Sequence, residues 1–263
     1  VTEWLVYLAL GAFAGTLAGM LGVGGGLIIV PGLVWVFMQS GFVTDVIMHM
    51  ALGTSLATIV FTSVSSVRAH HRRGAVQWPV VWQLIPGIVL GVMLGASLAE
   101  QLPTAYLSRV FAVFVLLVAG QMGFSLLPEA QRNLPGKLGM TAMGSVIGGV
   151  SAIVGIGGGT LTVPFLLWCS VSMRQAVATS AACGMPIALA GSLAFVWTGY
   201  GNDALPAQAI GYLYWPALLG VALSSMLFAP VGARLAHSLP TNTLKRFFAL
   251  FLLLVGLKML MTW

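Results

Sequence analysis

Four stretches of this chain carry no charged side chain: Trp4–Thr44, Gly74–Ala99, Leu138–Met173 and Ala204–Ala233. A helix needs about 20 mostly apolar residues to cross the ~30 Å hydrocarbon core of a bilayer, and each stretch is long enough for at least one crossing. A soluble domain covers itself with charge, at roughly a quarter of its residues. Here charged residues are 6% and hydrophobic residues 59%, with a mean hydropathy of +1.02. The chain is therefore read as an all-α integral membrane protein of about eight to ten membrane segments. The lipid bilayer is its solvent, and a separate soluble domain has no room.

The net charge of +6, from 11 Lys+Arg against 5 Asp+Glu, is what short cytoplasmic loops carry. It does not indicate a nucleic-acid partner. Cys169 and Cys183 both sit in apolar sequence, which argues against a disulfide framework. The first residues lack a basic n-region and an A-x-A-like site, so Trp4–Leu21 reads as a membrane segment rather than a signal peptide.

The sequence is duplicated. Gly22–Pro31 reads GVGGGLIIVP and Gly155–Pro164 reads GIGGGTLTVP, identical at six of ten positions. Gly15 aligns with Gly148, Trp35 with Trp168, and Ala51, Thr54 and Ser55 with Ala176, Thr179 and Ser180. Leu102–Val118 aligns with Leu239–Val255 at eleven of seventeen positions. Apolar composition alone does not reproduce Gly, Pro, Thr and Arg in one order. Two transmembrane repeats are expected, over 1–130 and 131–263, forming one transport domain. Apolar segments fall at 4–21, 27–38, 46–66, 79–99 and 104–127, then at 138–154, 160–170, 175–198, 209–231 and 243–262. The second of each set is too short to span as a helix. It is interrupted at Pro31 or Pro164, the expected helix breaks, and reads as a half-helix or one arm of a re-entrant hairpin.

Basic residues set the orientation. Arg68–Arg73 place the 67–78 loop in the cytoplasm, and Arg132 and Lys137 do the same for the linker between the halves. Arg234, Lys245 and Arg246 bring 232–246 inside, while loop 199–208, with Asp203 and no base, faces out. Arg109 is the exception. The first half then starts outside and the second inside, so the repeats are inverted and both termini are extracytoplasmic. Trp4, Trp78, Trp82, Tyr200, Tyr212 and Tyr214, near segment ends, read as interfacial anchors.

Transporters built from inverted repeats hold substrate near the midplane, at discontinuous helices. The glycine turns suit that role: glycine lets a ligand approach the backbone, and the free N–H groups of a half-helix start attract an anion. Gly24, Gly25, Gly26, Gly157, Gly158 and Gly159 are the leading candidates, with a positive φ expected at Gly25 and Gly158. The competing reading is close helix packing. Thr54, Ser55, Thr179 and Ser180 offer hydroxyls, although such groups commonly bond their own backbone. His49 and Arg174, each five residues before a Thr, can attract an anion or sit at the interface. Cys183 reads as packing. All five acids, Glu3, Asp45, Glu100, Glu129 and Asp203, fall at segment ends or in loops, so no mid-span carboxylate is available for proton coupling. No metal-binding or nucleophile–base constellation occurs, and no cofactor is expected.

The duplicated GxGGG turns followed by Pro, with the downstream Thr-Ser pairs, resemble the TauE/SafE family of sulfite and organosulfonate exporters along essentially the whole chain. That resemblance implies efflux of small sulfur-containing anions such as sulfite, taurine, sulfoacetate or sulfolactate across the plasma (inner) membrane. The residues themselves indicate only a small anionic substrate. A passive anion channel or a carboxylate transporter on the same scaffold is the alternative. A membrane-embedded enzyme would need intramembrane His, Cys or carboxylate clusters, which are missing. A homo-oligomer is compatible with the composition.

The topology is checked by labelling introduced cysteines. Sites at 70–73 and 134–136 are expected to be protected from outside and a site at 202 reactive from outside; labelling of 202 only from the cytoplasm would reverse the orientation.

Overall fold

In the computed structural model, residues 2–21, 25–124, 132–236 and 241–262 are described. The described residues form ten helices. The first five are α1 (Thr2–Leu21), α2 (Gly26–Gln39), α3 (Thr44–Arg72), α4 (Trp78–Gln101) and α5 (Thr104–Gly123). The others are α6 (Lys137–Val154), α7 (Gly159–Trp168), α8 (Met173–Thr198), α9 (Trp215–Ala236) and α10 (Thr241–Thr262). A two-stranded ribbon, β1 (Ala209–Ile210) with β2 (Leu213–Tyr214), precedes α9. Seven helices (α1, α3, α4, α5, α6, α8 and α9) are long and apolar enough to cross a membrane, and α2 and α7 are shorter apolar helices. In a bilayer every backbone N–H and C=O must be satisfied within the protein, and a helix does this within one segment. That is why this composition resolves into helices.

The two halves are built into each other. α1 lies along α9: a Cβ on Gly15 would stand 2.6 Å from Cα of Ser225, and one on Gly220 would stand 2.7 Å from Cβ of Tyr7. α4 lies along α6 in the same way, with Gly87 and Gly91 against the backbone of Thr141 and Ser145, and Gly95 against Gly149. Both pairs run parallel. Gly87, Gly91 and Gly95 recur every four residues and so form one stripe along α4, the small-residue spacing that lets membrane helices meet backbone to backbone. α3 crosses α8 antiparallel, Gly53 facing Phe195 and Gly191 facing Leu56. α5 crosses α10 antiparallel, Gly123 facing Ala249 and Gly256 facing Leu116. The helix α3 is central and mostly buried, from Val46 through Ile59.

The short helices return to the end from which the preceding helix started. Tyr7 of α1, Phe37 of α2, Phe42 and Tyr214 meet in one aromatic cluster, with ring centroids 5.2–6.3 Å apart. At the end of α7, Trp168 packs under the Arg132 guanidinium at 4.9 Å and its carbonyl accepts from the Arg132 N–H. This is the re-entrant arm anticipated for segments of that length.

Several expectations change. α2 and α7 continue through Pro31 and Pro164 without interruption. Each proline lies early in its helix and removes one hydrogen bond, to the carbonyl four residues back, so the chain breaks before these helices, at the glycines. The basic residues assigned to a 67–78 loop are largely helical: α3 has 29 residues and is about 43 Å long, so its basic end projects beyond ~30 Å of hydrocarbon. Tyr212 and Tyr214 are buried rather than interfacial, because the ribbon tucks between α3, α8 and α9, whereas Trp4, Trp82 and Tyr200 are exposed. Lys258 of α10 lies level with the start of α5, where Arg109 sits, and is a second basic residue at that end. Glu129 lies outside the described residues.

The glycine stripe makes a testable contrast. Gly91→Leu is expected to destabilise the detergent-solubilised protein by about 1–3 kcal/mol, the cost of overpacking, because its Cβ would run into Ser145 backbone. Gly120→Leu, where no atom lies within 4 Å of the added Cβ, should leave the thermal midpoint unchanged.

Candidate anion-binding site

The start of α2 and the second glycine turn come together at the centre of the fold. Gly26, the first residue of α2, faces the second turn so closely that a Cβ would stand 2.5 Å from the Gly155 carbonyl oxygen and 3.0 Å from Cα of Ile156. The Ser55 hydroxyl of α3 donates to that same Gly155 carbonyl at 2.9 Å. Behind the second turn, the Gly157 carbonyl lies 2.8 Å from where a Cβ of Gly184 would be. Glycine on both sides is what permits these approaches.

The turns differ in backbone. Gly155 and Gly158 hold φ of +70° and +75°, the left-handed region that disfavours other residues. Gly25 has φ −74° and ψ −16°, not the positive φ expected of it. Its carbonyl already accepts the first α2 bonds, from the N–H groups of Ile28 and Ile29, so right-handed angles suit it. Gly24 lies outside the described residues. Gly157 precedes the left-handed residue, and Gly159 begins α7.

The α7 start has the character of an anion site. The first intrahelical bonds are made by the N–H groups of Leu161 and Thr162 to the Gly158 carbonyl. The preceding N–H groups point out of the helix end, where the macrodipole is positive. Such ends, with an adjacent left-handed residue, bind oxyanions.

The hydroxyl candidates are buried, and two are committed elsewhere. Thr54 Oγ1 accepts from the Tyr214 N–H at 3.0 Å. Thr179 Oγ1 accepts from the Gln77 N–H at 3.1 Å. Both hold the residue just before a Trp-Pro helix start, Trp215-Pro216 or Trp78-Pro79, and each does so across the halves. Ser180, beside Thr179, is also buried. His49 is buried at the other end of α3: its Nε2 donates to the Ala99 carbonyl at 3.0 Å and its ring stacks on Tyr212 at 5.0 Å. Arg174 is exposed and donates to the Arg73 carbonyl at 3.2 Å, which places it at a surface end of the bundle and away from the turns. Cys183 is buried. An apolar groove of about 460 Å³ between α1, α2 and α10 includes Pro31 but none of the other candidates.

The sequence reading missed three hydroxyl residues beside the second turn, Ser151, Thr160 and Thr162. Their oxygens are buried and have no hydrogen-bond partner. The available signal was in the alignment, where they stand against apolar residues of the first half.

Seven helices long and apolar enough to span a bilayer, packed with two shorter apolar ones, define a multi-pass membrane protein. The chain belongs to the sulfite exporter TauE/SafE family, which it matches over residues 7–259. It is 38% identical over 260 residues to a probable membrane transporter protein of Haemophilus influenzae, covering 97% of each chain. It is 25% identical over 283 residues to the probable membrane transporter protein YunE of Bacillus subtilis, covering 98% of this chain and 97% of that one. A probable membrane transporter protein of Methanocaldococcus jannaschii is 26% identical over 265 residues, with 98% and 97% covered. No solved structure is significantly similar to this chain.

The unequal turns predict unequal tolerance. Gly158→Ala should cost at least about 1–2 kcal/mol, the left-handed penalty for an L-residue, and it also drives a Cβ into Ile187. Gly25→Ala meets only the mobile end of Ile29, at 2.9 Å, and should cost no more than about 0.5–1.5 kcal/mol, a rotamer adjustment. Unfolding midpoints of the two variants in one detergent provide the comparison.

Proposed function

We propose that this protein exports small sulfur-containing anions, such as sulfite, taurine or sulfoacetate, across the plasma membrane, through a site where the two glycine turns meet. The observation that carries this reading is the close contact between Gly26, at the start of α2, and the second turn that starts α7. It brings the positive start of α2 against the turn that leads into α7, in a core with no carboxylate among the described buried residues. The anion follows from that arrangement. The restriction to sulfur compounds rests on the family.

An inverted relation between the halves is supported by the antiparallel crossings of the equivalent helices, α3 with α8 and α5 with α10. The basic ends of α3 and of the linker before α6 support a cytoplasmic side there and extracytoplasmic termini.

Energetically an exporter of anions needs no proton. An interior-negative potential contributes about 2.3 kcal/mol per charge per 100 mV toward efflux. In proteoliposomes with potential and pH gradient set independently, sulfite or taurine flux is therefore expected from purified protein. For a net anion such as sulfite, flux should follow the potential. It should also survive amide substitution of Glu3, Asp45, Glu100, Glu129 and Asp203, one at a time. Flux that follows the pH gradient at zero potential, and loses that dependence with one amide, would refute potential-driven export. Transport of carboxylates but of no sulfur anion would refute the substrate class.

A further inference from the structure

The duplication allows a residue-by-residue comparison of the two turns, and their flanks have diverged in chemistry. Ser151 aligns with Ala18, Thr160 with Leu27 and Thr162 with Ile29. We propose that the anion is held asymmetrically: the second turn binds it through the backbone N–H groups leading into α7 and the hydroxyls of Thr162 and Ser151, and the first turn serves as its apolar packing partner. This inference rests on the anion-transport reading of the site.

Geometry puts the two side chains in comparable places. Thr162 Oγ1 lies 3.5 Å from where a Cβ on Gly158 would be, and Ile29 Cδ1 lies 2.9 Å from the same point on Gly25. The residue four after the glycine therefore leans back over each turn. In the first half it brings a methyl group, and in the second a hydroxyl. Thr162 and Ser151 are fully buried, as are Leu27 and Ile29.

Unpaired buried serine and threonine hydroxyls are also concentrated at the second turn, with those of Ser108 and Thr198 the other two among the described residues. A serine or threonine in a membrane helix ordinarily bonds a carbonyl three or four residues back. Thr16, Thr58, Thr141 and Ser145 do so, to Ala12, Thr54, Lys137 and Thr141. Thr162, Thr160 and Ser151 do not, and they make up three of the seven buried side-chain polar atoms without a partner among the described residues. Leaving such a group unpaired costs about 1–3 kcal/mol, so three within twelve residues point to a partner that is not part of the chain.

The class of partner follows from the donors. Backbone N–H groups and hydroxyls are neutral, and an oxyanion with several oxygens can accept from more than one of them. A neutral cradle holds such an anion and still releases it, as transport requires. In the first half, Leu27 and Ile29 offer no donor at the equivalent positions.

The test uses the full-length protein in proteoliposomes, with sulfite and taurine as probes, and reads KM for uptake alongside the melting temperature. Thr162→Val and Ser151→Ala should each raise KM about tenfold, the weight of one hydrogen bond to a charged group. Thr162→Ser, which keeps the hydroxyl, should stay within about twofold of the wild type. If Thr162→Val keeps the wild-type KM while the wild type transports, the asymmetric site is wrong and the transport reading stands. If Thr162→Ser is impaired as badly as Thr162→Val, the residue acts by packing and the inference fails. If the wild type moves neither probe, the transport reading fails for those anions and takes the inference with it.

Discussion

The fold depends on a helix of one half lying directly on the backbone of a helix of the other. In lipid no hydrophobic force draws apolar helices together, and association relies on dispersion and close approach. Gly11 and Gly15 on α1, and Gly87, Gly91 and Gly95 on α4, remove the side chains that would hold α9 and α6 away. Once those pairs are closed, α3 and α8 are brought to cross at the centre. The start of α2 is then pressed against the second turn, with Gly26 on Gly155.

Polar groups follow the same rule of exchange. Thr54 of the first half holds the N–H of Tyr214 in the second, and Thr179 of the second holds that of Gln77 in the first. Ser225 donates to the Gly11 carbonyl and Ser55 to that of Gly155. Buried hydroxyls in an apolar medium need partners, and these four find theirs in backbone groups of the opposite half. The centre is thus both glycine-rich and hydrogen-bonded.

Much of this architecture was legible in the sequence, because the bilayer leaves few choices. Charge-free stretches read directly as helices, and the shortness of Leu27–Met38 correctly signalled a segment that turns back. The duplicated glycines marked the meeting point. What escaped were features set by tertiary contact. Tyr212 and Tyr214 look like interfacial aromatics until the ribbon carries them inward. The oxygens of Thr54 and Thr179 each accept from the N–H before a helix start in the other half, a role set only by the tertiary fold. Arg174 aligns with His49, yet one bonds the end of α3 at the surface and the other lies buried against Tyr212. Aligned positions share a backbone environment and not necessarily a neighbour. The stripe at Gly87, Gly91 and Gly95 had been readable throughout, but one glycine among 33 draws little notice until its spacing is compared with a neighbouring helix.

The exchange of partners bears on how the chain is made. α1 leaves the ribosome first, yet the helix it packs against begins at Trp215. At about 5–20 residues per second, the wait is on the order of 10–40 seconds. Through that interval the glycine faces of α1 have only lipid beside them, and α4 waits more briefly for α6. Neither half holds the surfaces that complete it, so the first cannot finish folding before the second is inserted. Severing the chain in the linker would leave two fragments that need each other in the same membrane, at the same time.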